Sequence, residues 1–358
     1  MDSLEQSRKR IDEIDSRIAS LFELRMEECR EVARIKKENG LAVTDGGREA
    51  EVIQKNAALV KDDVIREYYV SFEKDVMEIS KKYQRRLLNG MKVAYCGIPG
   101  AFAQVAAEKM FPGAELESFQ DFTSAYRSCE NGDCDCAVLP FENSSSGEVA
   151  QVTDLMFAGS LHINQVCELE VVQNLLGCEG ASPETVKEVV SHPQALAQCA
   201  DYIARHSFRA VDYPNTASAA KMVAERNDPA LGAIGSRECA ELYGLKVLES
   251  HINPTSLNST RFAAFSRSAA ASGKKGATSH FILMFTVSDE AGSLAKTLNI
   301  IGIHGFNMRC LRSRPMKGLM WNYYFFLELE GDIDSPDGES MMIELGTLCN
   351  NLKVVGKF

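Results

Sequence analysis

Charged residues at helical spacing make the first ninety residues of this sequence a candidate site for a small anion. Arg25 and Lys36 are eleven residues apart, which is about 20° past three full helical turns, so both project from one face of a helix. Polar residues also open or line the next two predicted helices: Asp45, Arg48 and Glu49, then Ser80 and Gln84. Guanidinium and ammonium groups on one face suit the carboxylates of a small substrate. The same spacing also fits an ordinary solvated helix surface.

A second candidate site consists of short polar runs that follow predicted strands. They are Glu142–Gly147, Ser191–Gln194, Asn215–Ser218 and Asn258–Phe262. Ligands of α/β proteins bind at the carboxyl ends of strands, although each run alone also fits a turn or helix cap. Gly97 and Gly100 follow a strand without the third glycine of a dinucleotide site, so NAD is not expected. Neither a cofactor nor a metal is expected, because Cys134 and Cys136 have no second pair.

Composition narrows the function classes. The chain has 358 residues, 45% of them hydrophobic and 25% charged, which predicts a globular protein of two or three domains. The net charge of 39 − 50 = −11 argues against nucleic acid or an anionic membrane as a partner. The charged opening sequence predicts no targeting segment, so the eleven cysteines are expected to be reduced thiols in a cytoplasmic protein.

The elements that must position the first set of residues are helices. Residues 1–90 are proline-free and rich in charge, and they predict a helix to about residue 38, a second from Thr44 or Asp45 to Leu59, and a third from Asp62 or Asp63 to Leu88. Apolar residues recur at heptad spacing on the first helix: Leu4, Ile11, Ile14, Ile18 and Leu21. A partner helix must cover this stripe, either in the same chain or in a second subunit.

The remaining chain alternates between strands and helices. Residues 91–268 predict an α/β domain, and the stretch from Ser268 to Ser279 has a linker composition. Residues 276–358 predict an α+β, ferredoxin-like βαββα pattern that ends with a helix over Ser340–Asn350.

The helical segment resembles the all-helical (AroQ-type) chorismate mutases along its whole length. The positions that match the family's site are Arg8, Arg25, Lys36, Asp45, Arg48, Glu49, Ser80 and Gln84. The resemblance implies catalysis of the chorismate-to-prephenate rearrangement, with Lys36 and Gln84 on the ether oxygen and Glu49 on the hydroxyl side. It also implies an intertwined dimer in which Arg8 reaches the partner's site.

Residues 91–268 resemble prephenate dehydratase, whose most diagnostic motif matches Thr260, Arg261 and Phe262. The resemblance implies two lobes around a cleft, as in periplasmic binding proteins, with Thr260 as proton donor or its positioner and Arg261 as a carboxylate or structural anchor. Neutral hydrogen bonds would come from Asn143, Ser144, Ser191, Gln194 and Ser218. Ala103 and Gln104 stand where the family commonly has a hydroxyl residue followed by an acid or histidine.

The C-terminal segment resembles an ACT regulatory domain. The effector-binding positions implied are Gly292, Ser293, Leu294 and Ala295, together with Ser313, Arg314 and Pro315. The family usually has an acidic residue before the serine at position 313, and an acidic residue suits an effector's ammonium group. This chain has Arg312 at that position. A phenylalanine sensor and a purely structural dimerisation module both fit this segment.

Together the segments predict a bifunctional chorismate mutase–prephenate dehydratase that forms phenylpyruvate, is inhibited by phenylalanine and assembles as a homodimer or larger oligomer. The alternative is a two-lobed amino-acid-binding regulator whose catalytic sites have decayed.

Overall fold

The structure is a computed structural model that describes residues 2–253, 258–269, 280–318 and 321–358. Contacts divide the chain into two compact units, Met1–Lys92 and Val93–Phe358. Residues 270–279 of the predicted linker lie outside the described residues. No described helix combines the length and apolar character that crossing a bilayer requires.

The first unit consists of the helices α1 (Asp2–Asn39), α2 (Gly46–Ala57) and α3 (Asp63–Asn89). Aspartates begin two of them: the Asp45 carboxylate accepts from the Arg48 amide at 3.0 Å, and Asp62 accepts from Val64 at 2.9 Å. Such caps satisfy amides that have no partner within the helix. The three predicted helices are confirmed, and α1 and α2 both pack on α3.

The apolar stripe of α1 stays at the surface of this unit. Leu4, Ile11, Ile14, Ile18 and Leu21 are 45 to 64% exposed. Meanwhile three polar residues of α3 are buried: Glu73, Ser80 and Gln84. Leaving a long apolar stripe in water while burying polar groups reverses the usual distribution of side chains in a folded protein.

The second unit alternates strands and helices. Its elements in chain order are β1 (Lys92–Cys96), α4 (Phe102–Met110), β2 (Glu115–Phe119), α5 (Phe122–Glu130), β3 (Cys136–Asn143), β4 (Gly147–Glu148), α6 (Ala150–Ala158), β5 (His162–Glu170), β6 (Asn174–Gly177), β7 (Glu188–Ser191), α7 (Pro193–Gln198), α8 (Ala200–His206), β8 (Arg209–Asp212), α9 (Thr216–Arg226), β9 (Leu231–Gly235), α10 (Arg237–Tyr243), β10 (Lys246–Glu249), β11 (Ser259–Ser266), β12 (His280–Val287), α11 (Ser293–Ile303), β13 (Asn307–Pro315), β14 (Tyr323–Glu330), α12 (Pro336–Leu348) and β15 (Cys349–Lys357).

These strands form two sheets. One has the order β13-β14-β12-β15-β5-β11-β3-β1-β2, with β4 paired to β3, and the other has the order β10-β6-β9-β7-β8. The chain passes from the first sheet to the second after β5 and returns at β11. Strands β1–β5 and β11 therefore build a first lobe, strands β6–β10 build a second lobe, and two chain crossings connect them.

Residues 280–358, the C-terminal module, contain one strand, β15, that the sequence pattern does not predict. Ser335 caps α12 and Pro336 begins it, so this helix starts four residues before the predicted Ser340. The strand β15 follows at once; it pairs with β12 and continues to β5 of the first lobe through Gly356 and Ile163. The polar start of β15 hides its strand character, because burial between β12 and β5, rather than local propensity, makes it a strand.

Candidate active sites

In the first unit, side chains of α1 and α2 contact neighbouring positions of α3. The Arg25 guanidinium on α1 donates to the Ser80 hydroxyl, which donates to the Val76 carbonyl at 2.6 Å. Lys36, on the same face of α1, donates to the Val43 carbonyl at 2.5 Å in the loop before α2. Both cations are half-buried, so solvent screens their charges only in part.

Helix α2 joins the site through an ion pair of Glu49 with Lys81, a residue that no sequence motif indicated. The Lys81 ammonium lies 3.1 Å from the Glu49 carboxylate and 2.9 Å from Glu78. Its hydrogen bonds to Glu78 and Glu49 raise the pKa of Lys81, so it stays charged. The signal available in the sequence was its place directly after Ser80, on the helix face next to Gln84.

The remaining predicted residues of this unit divide into one buried amide and three surface positions. Gln84 is buried, and its Oε1 has no hydrogen-bond partner among the described residues. Asp45 caps α2, whereas Arg48 is exposed and pairs with Glu51 at 2.7 Å. Arg8 is exposed on α1.

In the second unit, a cavity of about 520 Å³ lies between the two lobes. Polar residues that line it include Asn143, Gln173, His192, Gln194, Asn215 and Thr260. The described residues of its wall include no Arg, Lys, Asp or Glu. Cys96 also lines the cavity, and burial raises its pKa to about 11, so it remains a neutral thiol. The described wall therefore offers amide and hydroxyl groups, together with His192, for hydrogen bonds to a ligand.

Asn143 and Thr260 meet at the wall of this cavity as a cross-strand pair of β3 and β11. The Asn143 Nδ2 donates to the Thr260 Oγ1 at 2.9 Å and to the Asn258 Oδ1 at 3.0 Å. Because the Thr260 oxygen accepts this bond, its own hydroxyl proton remains available to a ligand. The predicted grouping of Asn143, Thr260 and Phe262 is thus brought together here.

The segment Asn143–Ser146, which we call the active-site loop, belongs to the first lobe and contacts the second. The Asn143 Oδ1 accepts from the backbone amides of Ser145 and Ser146 at 2.9 and 3.0 Å. The Gln194 side chain, from the second lobe, donates to the Ser146 hydroxyl at 2.9 Å. This loop therefore contains Asn143, which makes several hydrogen bonds at the cavity wall, and it contacts the opposite wall through Ser146.

Two further features of the wall suit a carboxylate-bearing ligand. Phe102 begins α4 and Thr216 begins α9, so the N-termini of both helices, with the backbone amides of their first turns, lie at the cavity. The N-cap of α4, Ala101, provides no side-chain cap, which leaves amides of that first turn for a ligand. Gln173 is buried, and its Oε1 has no partner among the described residues; no sequence motif singled it out.

Four residues predicted to contact substrate lie outside the cavity wall. The Ser191 hydroxyl is fully buried and donates to the Ile234 carbonyl at 2.6 Å. Ser144 accepts from the Ser259 amide, and Ser218 donates to the Asn215 carbonyl. These hydroxyls hold backbone segments in place, which differs from the predicted substrate contact.

The fourth residue, Arg261, is bound by two carboxylates of the protein itself. Its guanidinium donates to Glu142 at 2.8 Å and to both carboxylate oxygens of Glu328 at 2.7 and 2.8 Å. Its guanidinium carbon also lies 4.8 Å from the centre of the Phe141 ring. Of the two roles considered for Arg261, carboxylate anchor or structural anchor, the geometry favours the structural one.

The predicted effector positions occupy two places in the C-terminal module, and neither lines the cavity. Gly292 has φ of +86° as N-cap of α11, whose first turn contains Ser293, Leu294 and Ala295. Ser313, Arg314 and Pro315 lie on β13. Arg314 is already paired, with Glu148 at 2.6 Å and Asp154 at 2.9 Å. Arg312, which stands where the family usually has an acidic residue, forms an ion pair with Glu142.

Comparison with known proteins assigns both units to families. A chorismate mutase type II model matches residues 7–85, and a prephenate dehydratase model matches residues 93–270. The bifunctional chorismate mutase/prephenate dehydratase of Neisseria gonorrhoeae is 30% identical over 354 residues, covering 98% of this chain and 95% of its own length. The enzyme of the same description from Escherichia coli K12 is 29% identical over 365 residues, covering 98% of this chain and 94% of its own length.

Solved structures resemble the second unit. The prephenate dehydratase of Arthrobacter aurescens in complex with L-phenylalanine has a TM-score of 0.69 at 23% identity, over 75% of this chain and 89% of that one. A protein described as a novel type of quorum-quenching acylase also has a TM-score of 0.69, at 28% identity, over 74% of this chain and 97% of its own. The two-lobed fold is thus shared with proteins of more than one described activity.

Proposed function

This chain belongs to the family of bifunctional chorismate mutase/prephenate dehydratases, and from that premise we propose how its residues divide the two reactions. The first unit rearranges chorismate to prephenate, and the second converts prephenate to phenylpyruvate. Separate sites are the natural arrangement, because one reaction needs fixed cations and the other needs a proton at a departing hydroxyl.

For the mutase we propose a site of Arg25, Lys36, Glu49, Ser80 and Gln84, supplemented by Arg8 of a second subunit. The rearrangement is concerted and has no proton transfer, so it requires a fixed substrate conformation and donors where charge develops. Arg25, oriented by Ser80, binds a substrate carboxylate. Lys36 and the amide of Gln84 donate to the ether oxygen as its bond to carbon breaks. Glu49, held by Lys81, faces the substrate hydroxyl.

For the dehydratase we propose that Thr260 donates a proton to the ring hydroxyl of prephenate. The ring carboxylate leaves as carbon dioxide, its bonding electron pair enters the ring, and the C–O bond breaks on the far side. The hydroxyl departs as water with the added proton, which leaves phenylpyruvate, and solvent then returns a proton to Thr260. The supporting observation is the 2.9 Å hydrogen bond from Asn143 that leaves the Thr260 proton free. The amide ends of α4 and α9 receive the carboxylates.

We further propose that the chain works as a homodimer and that its C-terminal module is an ACT domain that binds phenylalanine. The exposed heptad stripe of α1 supports the dimer, because a second copy would cover it. The strand order β13-β14-β12-β15 with two helices supports the ACT assignment. The phenylalanine-bound Arthrobacter enzyme supports the choice of effector.

The direct test is to incubate the purified protein with chorismate and to follow both chorismate loss and phenylpyruvate formation. We expect both, with prephenate as a transient intermediate. Loss of chorismate that stops at prephenate would remove the dehydratase assignment, and an inert protein would favour the amino-acid-binding regulator.

A further inference from the structure

The active-site loop, Asn143–Ser146, is flanked by two carboxylates that face away from the cavity. Glu142 precedes it and Glu148 follows it, and the two are paired across the short β3–β4 hairpin. Side chains alternate between the faces of a strand, so Asn143 faces the cavity while Glu142 faces the other side. Whatever holds these carboxylates therefore fixes both ends of the loop.

Two arginines of β13 hold them. Arg312 pairs with Glu142 at one end of the loop. Arg314, two residues on and thus on the same strand face, pairs with Glu148 at 2.6 Å at the other end and with Asp154 at 2.9 Å. We call Arg312 and Arg314 the arginine clamp.

The clamp is largely shielded from water. The side chains of Arg312, Arg314, Glu142 and Glu148 are only 16 to 24% exposed. Burial alone would raise the pKa of Glu142, but the opposing effect of Arg261 and Arg312 is larger, so this pKa lies below its ordinary value. Paired charges in such surroundings are weakly screened and geometrically restrained.

Glu142 also connects the clamp to the proposed proton donor. Glu142 and Asn143 on β3 pair in register with Arg261 and Thr260 on β11. Arg261 binds Glu142 at 2.8 Å on the outer face, and Asn143 binds Thr260 at 2.9 Å on the cavity face. Movement of Glu142 would therefore move the Asn143–Thr260 pair directly.

We propose that Arg312 and Arg314 are positioning residues of the dehydratase, which hold the active-site loop so that Asn143 orients Thr260 for proton donation. This inference rests on the proposed dehydratase site. It means that β13 positions residues of that site, in addition to any role in effector binding. It also explains why an arginine stands at position 312, because an acidic residue there would repel Glu142.

The test compares Arg312→Met with Arg309→Met in the full-length protein. Arg309 is on the same strand but 52% exposed, and it pairs with Glu330 instead of the loop. We expect Arg312→Met to lower kcat on prephenate roughly tenfold or more with little change in KM, since small misplacements of a catalytic group have such effects. Arg309→Met should match the wild type, and the mutase rate of each variant reports the amount of folded first unit.

A merely structural clamp would lower the Tm but leave kcat and KM per folded molecule unchanged, and that result overturns the proposal. If Arg312→Met fails to fold, Glu142→Gln, which keeps shape and removes charge, decides the matter: a lower kcat supports the clamp and an unchanged kcat overturns it. An inactive wild type would instead contradict the proposed function, which keeps the two failures distinguishable.

Discussion

Asn143 donates a hydrogen bond of 2.9 Å from its amide to the Thr260 hydroxyl, across strands β3 and β11. A neutral threonine is a weak acid, so its contribution depends on where its proton is directed. The amide of Asn143 occupies the acceptor side of that hydroxyl and thereby directs the proton toward the cavity.

Replacing Thr260 should separate the two reactions. We expect Thr260→Ala to abolish phenylpyruvate formation while chorismate is still consumed and prephenate accumulates, because only the proton donor is lost. Thr260→Ser, which keeps the hydroxyl, should retain part of the rate. Chromatography of the products measures both steps, and continued dehydration by Thr260→Ala would direct attention to the active-site loop.

Mixing two inactive mutase variants tests the shared site. Arg8→Ala and Arg25→Ala should each lower the mutase rate about 10²-fold or more, the scale of losing one donor. In mixed dimers, an intact Arg25 in one subunit meets an intact Arg8 from the other, so about a quarter of all sites recover after random exchange. Recovery is measured after unfolding and refolding the mixture. Its absence, with mixed dimers present, would mean that each site is built from one chain.

Lys81 should matter for the mutase although it was not a predicted site residue. Lys81→Met leaves Glu49 without its 3.1 Å counter-ion. We expect about a tenfold lower kcat/KM for chorismate, of the order seen when an electrostatic partner is removed. The exposed Lys74 on the same helix is the matched control, and Lys74→Met should behave as the wild type. Equal rates for both variants would show that Lys81 has no part in the mutase reaction.

Phenylalanine should inhibit the dehydratase through the C-terminal module. An effector shifts an equilibrium only by its different affinity for two states, so inhibition requires coupling between β13 and the cleft. Gly292→Ala places a side chain at φ of +86°, a strained position, and should weaken inhibition. Titrating phenylalanine against the dehydratase rate measures this. Inhibition unchanged by Gly292→Ala would place the effector in the cavity, and none at millimolar phenylalanine would leave a structural module.

Lys353 makes stability depend on pH with a defined sign. Burial lowers its pKa to about 8, while its ammonium donates to the Gly159 carbonyl at 2.8 Å. Between that value and about 10.4, its pKa when unfolded, the unfolded chain binds more protons, so stability rises with pH. The Tm of the wild type minus that of Lys353→Met should therefore increase from pH 7 to pH 9.5. For Lys221→Met, an exposed control, the corresponding difference in Tm should not change with pH.

Local features of the sequence were enough to predict the helices of the first unit, whereas its site residues were predicted from the resemblance to chorismate mutases. Asp45 and Asp62 mark helix starts, and the eleven-residue spacing of Arg25 and Lys36 places them on one face wherever the helix packs. Family motifs extended this to Thr260 and Asn143, which the fold brings together as expected. The helix starts and the shared face of Arg25 and Lys36 were predictable because they depend on residues close in the sequence, whereas the contact of Asn143 with Thr260 depends on the pairing of β3 with β11.

The tertiary structure alone decided the contacts between distant positions. Arg261 and Glu142 are 119 residues apart and Arg312 and Glu142 are 170 apart, so only strand register brings them together. The same holds for β15, which is a strand because β12 and β5 lie on either side of it. Sequence determined which groups this protein has for its chemistry, whereas the pairing of strands determined which of them face substrate and which hold the others in place.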